Sequence, residues 1–386
     1  MDAERTDVEA RRQRRFWKTW RTPVKAVLKS RFLYDCKTES VPDGPFLLYV
    51  NHVTDLDPLF VAASFSDPLV FVAGETVHRM GLLSEIIRRY AATIDRIKGS
   101  TDTTAALTIL KALKNGRRVC MFPSGNRSFC GRSAEIPLAS AKLAKIAKVP
   151  LLTYRIEGGY MTSPRWADRM RRGHMRGRIV RVYTPQELAV LSVEELHRGI
   201  TNDLYEDAYA SEPTPYTGKR LAERLETMLY LCPRCGCVDT LKSRDDTFFC
   251  TCGLSMRLDA YGRFEGEAPP FLHPGAWDDW QQERMRILAA SAGEAPVFSD
   301  EGQQLYRIGD DHKLLPVTAG TMQMSGTTFS LGRFAAPLDR LEGFALTQQE
   351  KLTFSMGGEH YVIRSDHPRC GKKYYDLFRY RKAPKA

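Results

Sequence analysis

Hydrophobic positions along the chain follow two rhythms. Between residues 36 and 210, short apolar runs bounded by Gly, Pro or polar residues predict strands at 45–50 (PFLLYV), 69–73 (LVFVA), 118–122 (RVCMF), 151–156 (LLTYRI) and 178–183 (RIVRVY). Helical periods fall between them. The stretch 102–114 runs into Asn115-Gly116, a helix stop, and 192–209 opens with Ser192 and Glu195 in capping-box spacing. This alternation predicts an α/β layer, ending near 210 where SEPTPYTGK reads as a linker. After a helix expected at 274–292, the pattern shortens to runs such as LYRIG, GTMQMSG, TTFSLG, KLTFSM and HYVIRS between turn residues, then KKYYDLFRYRK. That predicts a small β-rich domain with a final helix.

Composition narrows the class. A chain of 386 residues exceeds one ordinary core, and 43% hydrophobic with 27% charged residues is the balance of a globular protein. Runs such as LLYV and PLVFVA are far too short to span a bilayer, and MDAERTDVEA lacks the apolar centre of a secretory signal. The expected setting is therefore cytoplasmic and reducing, with free cysteines. The net charge of +11 is uneven: residues 11–31 hold nine Lys or Arg and no acid. In that segment, treated as an N-terminal helix over 1–35, Phe16, Trp20, Val24, Val27 and Arg31 follow helical spacing. Three readings stay open, an aromatic basic helix meeting an anionic membrane surface, an apolar stripe packed on its own domain or, less favoured, a basic arm on RNA.

Five of the nine cysteines fall within LCPRCGCVDTLKSRDDTFFCTCGLSM. Two thiolate turns separated by a hairpin-length spacer make a tetrahedral site, so residues 219–264 are expected to form a zinc-ribbon-like module. Cys232, Cys235, Cys250 and Cys252 are the expected ligands and Cys237 a spare. A structural zinc fits so small a module better than a catalytic one, which would need an open position in a cleft. The β-rich region with its preceding helix takes 272–386.

Three polar clusters sit at predicted strand ends: NHVTDLD (51–57), IDRIKGS (94–100) and FPSGNRS (122–128). In an open α/β sheet, loops converging at one edge bind ligands. His52 is a base that titrates near neutrality, and Asp57 either folds back to hold its imidazole or caps the helix that Pro58 begins. Arg96 and Arg127 are suited to gripping a phosphate. With no Ser or Cys in a nucleophile elbow, the set fits base-assisted attack by a bound hydroxyl.

These residues resemble the glycerophosphate and lysophosphatidate acyltransferase family. Asn51-His52 with Asp57 is similar to its NH-x4-D box, Ile94-Asp95-Arg96 to its second box, Phe122–Ser128 to its FPEG-x-R-S box, and Val149-Pro150-Leu151-Leu152 to its fourth. The resemblance covers about residues 30–205 and implies an acyltransferase-type mixed sheet flanked by helices. It implies transfer of a fatty acyl group from an acyl-CoA or acyl carrier protein thioester to a hydroxyl of a lysophospholipid such as lysophosphatidate. His52 would be the general base and Asp57 its orienter. Ser124, Gly125, Asn126, Arg127 and Arg96 would bind the acceptor. One position departs: Ser124 stands where the family pattern has Glu. The C-terminal runs resemble pleckstrin-homology or GRAM-like modules in pattern alone.

An alternative from another class is an inert acyltransferase-type binding protein that uses its zinc ribbon and basic surfaces on nucleic acid or a partner. The four ordered boxes favour lipid over nucleic acid. His78, His174, His197 and His360 lie outside them and are expected to pack or face solvent, and the basic run 163–178 is either a solvated face or a docking surface for phosphates or an acidic carrier.

Overall fold

The computed structural model describes residues 2–74, 93–96, 103–210, 212–309, 313–347 and 349–382. The chain divides into two compact units, Met1–Pro164 with Met170–Gly218, and Arg165–Arg169 with Lys219–Ala386.

The first unit is a mixed α/β sheet with helices on both faces. Its strands are β1 (Tyr34–Cys36), β2 (Leu47–Val50), β3 (Val70–Gly74), β4 (Thr93–Arg96), β5 (Val119–Met121), β6 (Leu151–Glu157) and β7 (Met175–Tyr183), in the order β1-β7-β6-β2-β5-β3-β4. Neighbours are parallel except β6 and β7. The central strand β2 is buried throughout, which is why LLYV reads as an unbroken apolar run. Leu48 and Val50 enter one core with Phe60, Phe65, Tyr154 and Ile156, while Leu47 and Tyr49 enter the other with Val119, Met121, Leu151 and Leu196.

Helices α1 (Asp2–Phe32) and α2 (Asp57–Ser64) contribute to the first core; α3 (Thr103–Lys114), α4 (Leu138–Ala147), α6 (Pro185–Val190) and α7 (Val193–Leu204) contribute to the second. The single turn α5 (Gly159–Thr162) follows β6. Ser192 and Glu195 form the expected capping box, yet α7 stops at Leu204, five residues short of 209, because Tyr205 is extended. Tyr216, in the expected linker, is buried against Tyr160 and Met161.

The N-terminal helix packs through a face that its periodicity did not single out. Val24, Leu28 and Phe32 join the core, and the Trp17 indole N–H donates to Phe65 O at 3.1 Å. Trp20 and Val27 remain 52% and 61% exposed. Two apolar stripes share Val24, and the one whose indole N–H finds a carbonyl partner is the one that packs. In the basic run 163–178, Arg165 and Arg171 are buried, while Arg169, Arg172 and Arg176 are exposed.

In the second unit, β8 (Leu241–Arg244), β9 (Thr247–Cys250), β10 (Ser255–Leu258) and β11 (Phe264–Glu265) form an antiparallel sheet in sequence order. Helix α8 (Pro274–Ser291) places the fully buried Trp277 against Phe248, Phe264 and Phe271, and its indole N–H donates to Leu231 O at 3.0 Å. Then come β12 (Phe298–Ile308), β13 (Leu314–Met324), β14 (Thr328–Leu331), β15 (Phe334–Pro337), β16 (Glu342–Thr347), β17 (Lys351–Met356), β18 (Glu359–Ser365) and the final helix α9 (Gly371–Lys382). The strand order is β15-β14-β13-β12-β18-β17-β16, so the C-terminal region is β-rich with a closing helix. The buried Lys373 of α9 bridges Asp239, beside the cysteines, and Asp300 of β12.

Candidate active site

The carboxyl ends of β2, β5 and β6 are adjacent, and each feeds one loop of the site. Beyond Val50, the Asn51 side chain takes over the pairing with β6: Oδ1 accepts Ile156 N–H at 2.8 Å and Nδ2 donates to Ile156 O at 2.9 Å. The chain thus leaves the sheet at a fixed angle, with His52 next. His52 Nδ1 lies 2.7 Å from Asp57 Oδ2, and Asp57 is fully buried. An ionised carboxylate only accepts, so Nδ1 carries the hydrogen and the neutral ring keeps Nε2 as its base.

Asp57 is not a helix cap. It is the first residue of α2, Leu56 is the N-cap, and no side chain caps the helix. Instead its oxygens turn back: Oδ2 accepts Val53 N–H at 2.7 Å, and Oδ1 accepts Thr54 N–H at 2.9 Å and Thr54 Oγ1 at 2.7 Å. Four donors therefore converge on one carboxylate, which organises the loop and aims the imidazole together.

The loop after β5 supports this arrangement from the other side. The Phe122 ring lies 4.7 Å from the His52 ring, and Ser128 N–H donates to His52 O at 3.0 Å. Gly125 closes the turn at φ +65°, and a Cβ there would meet nothing within 4 Å. Glycine is needed for conformation at this position, and the space beside the backbone is open. Ser124 Oγ donates to Asn126 O at 3.0 Å, so both residues belong to the turn itself. Arg127 faces the first loop: Nε donates to Val53 O at 3.2 Å, Nη1 to Asp55 Oδ2 at 2.7 Å, and Nη2 to Ser163 O at 2.6 Å and Ser163 Oγ at 3.3 Å. Arg96 ends β4, one strand beyond β3, and its side chain lies outside the described residues, as does His78.

Acyltransferase is the family whose profile matches, over residues 34–157. Over 133 residues the chain is 29% identical to a probable 1-acyl-sn-glycerol-3-phosphate acyltransferase of Mycoplasma pneumoniae, an alignment covering 32% of this chain and 50% of the relative. The chain thus spans about half the length of the curated relative it matches. A crystal structure of the 1-acyl-sn-glycerophosphate acyltransferase PlsC from Thermotoga maritima is similar at 21% identity and a TM-score of 0.42, covering 50% of this chain and 76% of that one.

The site also uses residues that no box contains. After β6, Gly158 N–H donates to Glu206 Oε1 at 2.7 Å, and Glu206 Oε2 accepts the Asn51 amide at 3.5 Å. Burial pushes the Glu206 carboxyl up to about 8; the Gly158 N–H and Arg155 oppose the rise, and the charges of Glu157 and Asp57 add to it. Glu206 follows the end of α7 between Asp203 and Asp207, without a spacing signal. Nearby Cys120 is fully buried, its thiol pushed up first by burial and then by the charge of Asp57, so it is no nucleophile. Of the outlying histidines, His197 Nε2 lies 2.7 Å from Ile136 O, and His360 Nδ1 lies 2.7 Å from Ser355 Oγ.

The second unit brings the four expected cysteines together. Ligand atoms of Cys232, Cys235, Cys250 and Cys252 all lie within 4.8 Å of one another, with Cys232 Sγ and Cys252 Sγ at 3.8 Å and Cys235 Sγ and Cys250 Sγ at 3.8 Å. Sulfurs at 2.3 Å from a central zinc stand about 3.8 Å apart in a tetrahedron, so this donor set fits the ion. Gly236, at φ +70°, lets the first knuckle turn, its N–H donating to Cys232 O at 2.9 Å. Cys237 is exposed, and its thiol contacts Cys235 O at 3.7 Å instead.

Proposed function

We propose that the chain transfers a fatty acyl group from an acyl thioester of coenzyme A or acyl carrier protein to a hydroxyl of a lysophosphatidate-type glycerophospholipid. The observation that carries the reading is the His52 Nδ1–Asp57 Oδ2 bond of 2.7 Å, with the imidazole's other nitrogen left for a substrate. Nε2 takes the acceptor hydroxyl proton as that oxygen bonds to the thioester carbonyl carbon. The resulting oxyanion collapses, the C–S bond breaks, and the imidazolium returns the proton to the departing thiolate. Asp57 steadies the imidazolium and holds the tautomer. Arg96, Arg127 and the loop of Ser124, Gly125 and Asn126 bind the acceptor headgroup, with Gly125 letting its backbone come close.

Cys232, Cys235, Cys250 and Cys252 would hold a structural zinc that adds folding energy to the second unit. Among the described residues no helix is long and apolar enough to cross a membrane. The exposed Trp20 and Val27 beside the basic residues of α1 are suited to a peripheral, reversible contact with an anionic membrane surface.

The test is release of free thiol from acyl-CoA or acyl carrier protein. It is expected only when lysophospholipid is present, and His52→Ala should lower it by about a hundredfold or more. No release with any donor and acceptor, together with tight salt-sensitive binding to RNA or DNA, would instead support an inert binding protein.

A further inference from the structure

The environment of Arg127 carries an inference about acceptor choice. A guanidinium has five N–H donors, and here Val53 O, Asp55 Oδ2, Ser163 O and Ser163 Oγ receive at least four hydrogen bonds. Three of these acceptors are neutral. The fourth is the Asp55 carboxylate, 2.7 Å from Nη1, and the pair is lopsided: Arg127 is 11% exposed at its side chain and Asp55 79%. Asp55 therefore covers the guanidinium from the solvent side, where an acceptor headgroup would have to approach. Position 124, where the family pattern has Glu, holds a serine bonded to Asn126 O.

We propose that Asp55 is a specificity-determining residue that neutralises Arg127 and so disfavours phosphomonoester acceptors relative to those with a zwitterionic headgroup. This rests on the acyl-transfer reading, which supplies the acceptor. A phosphate dianion drawn to Nη1 competes with Asp55 for the guanidinium and meets its carboxylate nearby as a like charge. A headgroup of zero net charge meets a neutral pair and loses far less. The ion pair is exposed on one side, so the discrimination is modest, about three- to fivefold.

The experiment uses the full chain with Asp55→Asn and Asp55→Ser, both at an exposed turn position. Acyl transfer is measured against lysophosphatidate and lysophosphatidylcholine, and binding of sn-glycerol 3-phosphate is measured separately by calorimetry. Both variants should lower KM for lysophosphatidate by about threefold or more, leave KM for lysophosphatidylcholine within about twofold, and tighten glycerol 3-phosphate binding by a factor like the first. If Asp55 instead orients Arg127 for phosphate, both variants will weaken glycerol 3-phosphate binding, and the proposal is overturned. Equal KM shifts for the two acceptors, or unchanged phosphate binding, overturn it as well. Tighter phosphate binding in a chain that transfers no acyl group to any acceptor would sink the acyl-transfer reading and leave the effect of Asp55 standing.

Discussion

The loop of His52 and the knuckles of the four cysteines are both polar clusters built on turns beside strands, but they end in opposite ways. In the first, every donor around Asp57 points inward to one buried carboxylate, and the imidazole it holds keeps a nitrogen and 22% of its side-chain surface open. In the second, four sulfurs face one another at the spacing of a closed tetrahedron. A closed donor set has no vacancy for a substrate, so its free energy goes into holding the fold. A set with one open atom, kept rigid by a buried charge, is suited to moving a proton. The difference is one of free valence.

Removing metal is the strongest way to break this comparison. Purified protein should hold about one zinc per chain by elemental analysis, and chelation should lower the melting temperature of the second unit steeply, since structural zinc contributes roughly 10–16 kcal/mol in small modules. Acyl transfer per folded molecule should fall less than in His52→Ala. Cys235→Ser should lose the metal, whereas Cys237→Ser should keep it, because the Cys237 thiol lies outside the four-sulfur cluster. Metal-free protein of unchanged stability would show that the closed set is not a folding element.

Next in size is Asp57→Asn. From sequence alone the amide should be a mild change, since it can still accept the Nδ1 hydrogen. The structure makes it harsher: whichever way the amide is turned, its NH2 faces a buried backbone N–H, that of Val53 beside His52 Nδ1 or that of Thr54. One buried donor pair left unmet costs about 1–3 kcal/mol, and the imidazolium loses its counter-charge as well. The rate of thiol release should fall by about ten- to hundredfold, with a lower melting temperature. A rate within twofold of the unmodified protein would remove Asp57 from the mechanism.

What could be read from the sequence divides along the same line of local against distant contacts. The strand LLYV, the capping box of Ser192 and Glu195, the pairing of His52 with Asp57 and the four clustered cysteines depend on residues near in sequence or on short spacings. Glu206 under Asn51 and Gly158, and Asp55 on Arg127, join residues 155, 48 and 72 positions apart in regions whose patterns say nothing of each other. The packing face of α1 is set by a distant partner too. Helical periodicity finds the stripes, but only the position of Phe65 O decides between Trp17 and Trp20.

The smallest expected effect is at Ser124, where the comparison turns on which carboxylate Arg127 answers to. The missing glutamate alone suggests that Ser124→Glu would restore an orienting charge and raise transfer to lysophosphatidate. The structure supplies a reason for it to do little: Arg127 already has a carboxylate partner in Asp55, and Ser124 Oγ is engaged within its own turn. A second acid could only share the guanidinium, so in the unmodified background Ser124→Glu should change KM for lysophosphatidate by less than about threefold, the range of a partly exposed ion pair. The sharper measurement is the double-mutant cycle. In an Asp55→Asn background the outer face of Arg127 is relieved of its carboxylate, and Ser124→Glu should then raise KM back toward the unmodified value, giving a coupling of about 0.5–1 kcal/mol between positions 55 and 124. Additive effects would mean that a carboxylate at 124 does not address Arg127. A large gain from Ser124→Glu alone would mean that Asp55 leaves Arg127 open to a second carboxylate, and that the native site is a weakened version of the ordinary one.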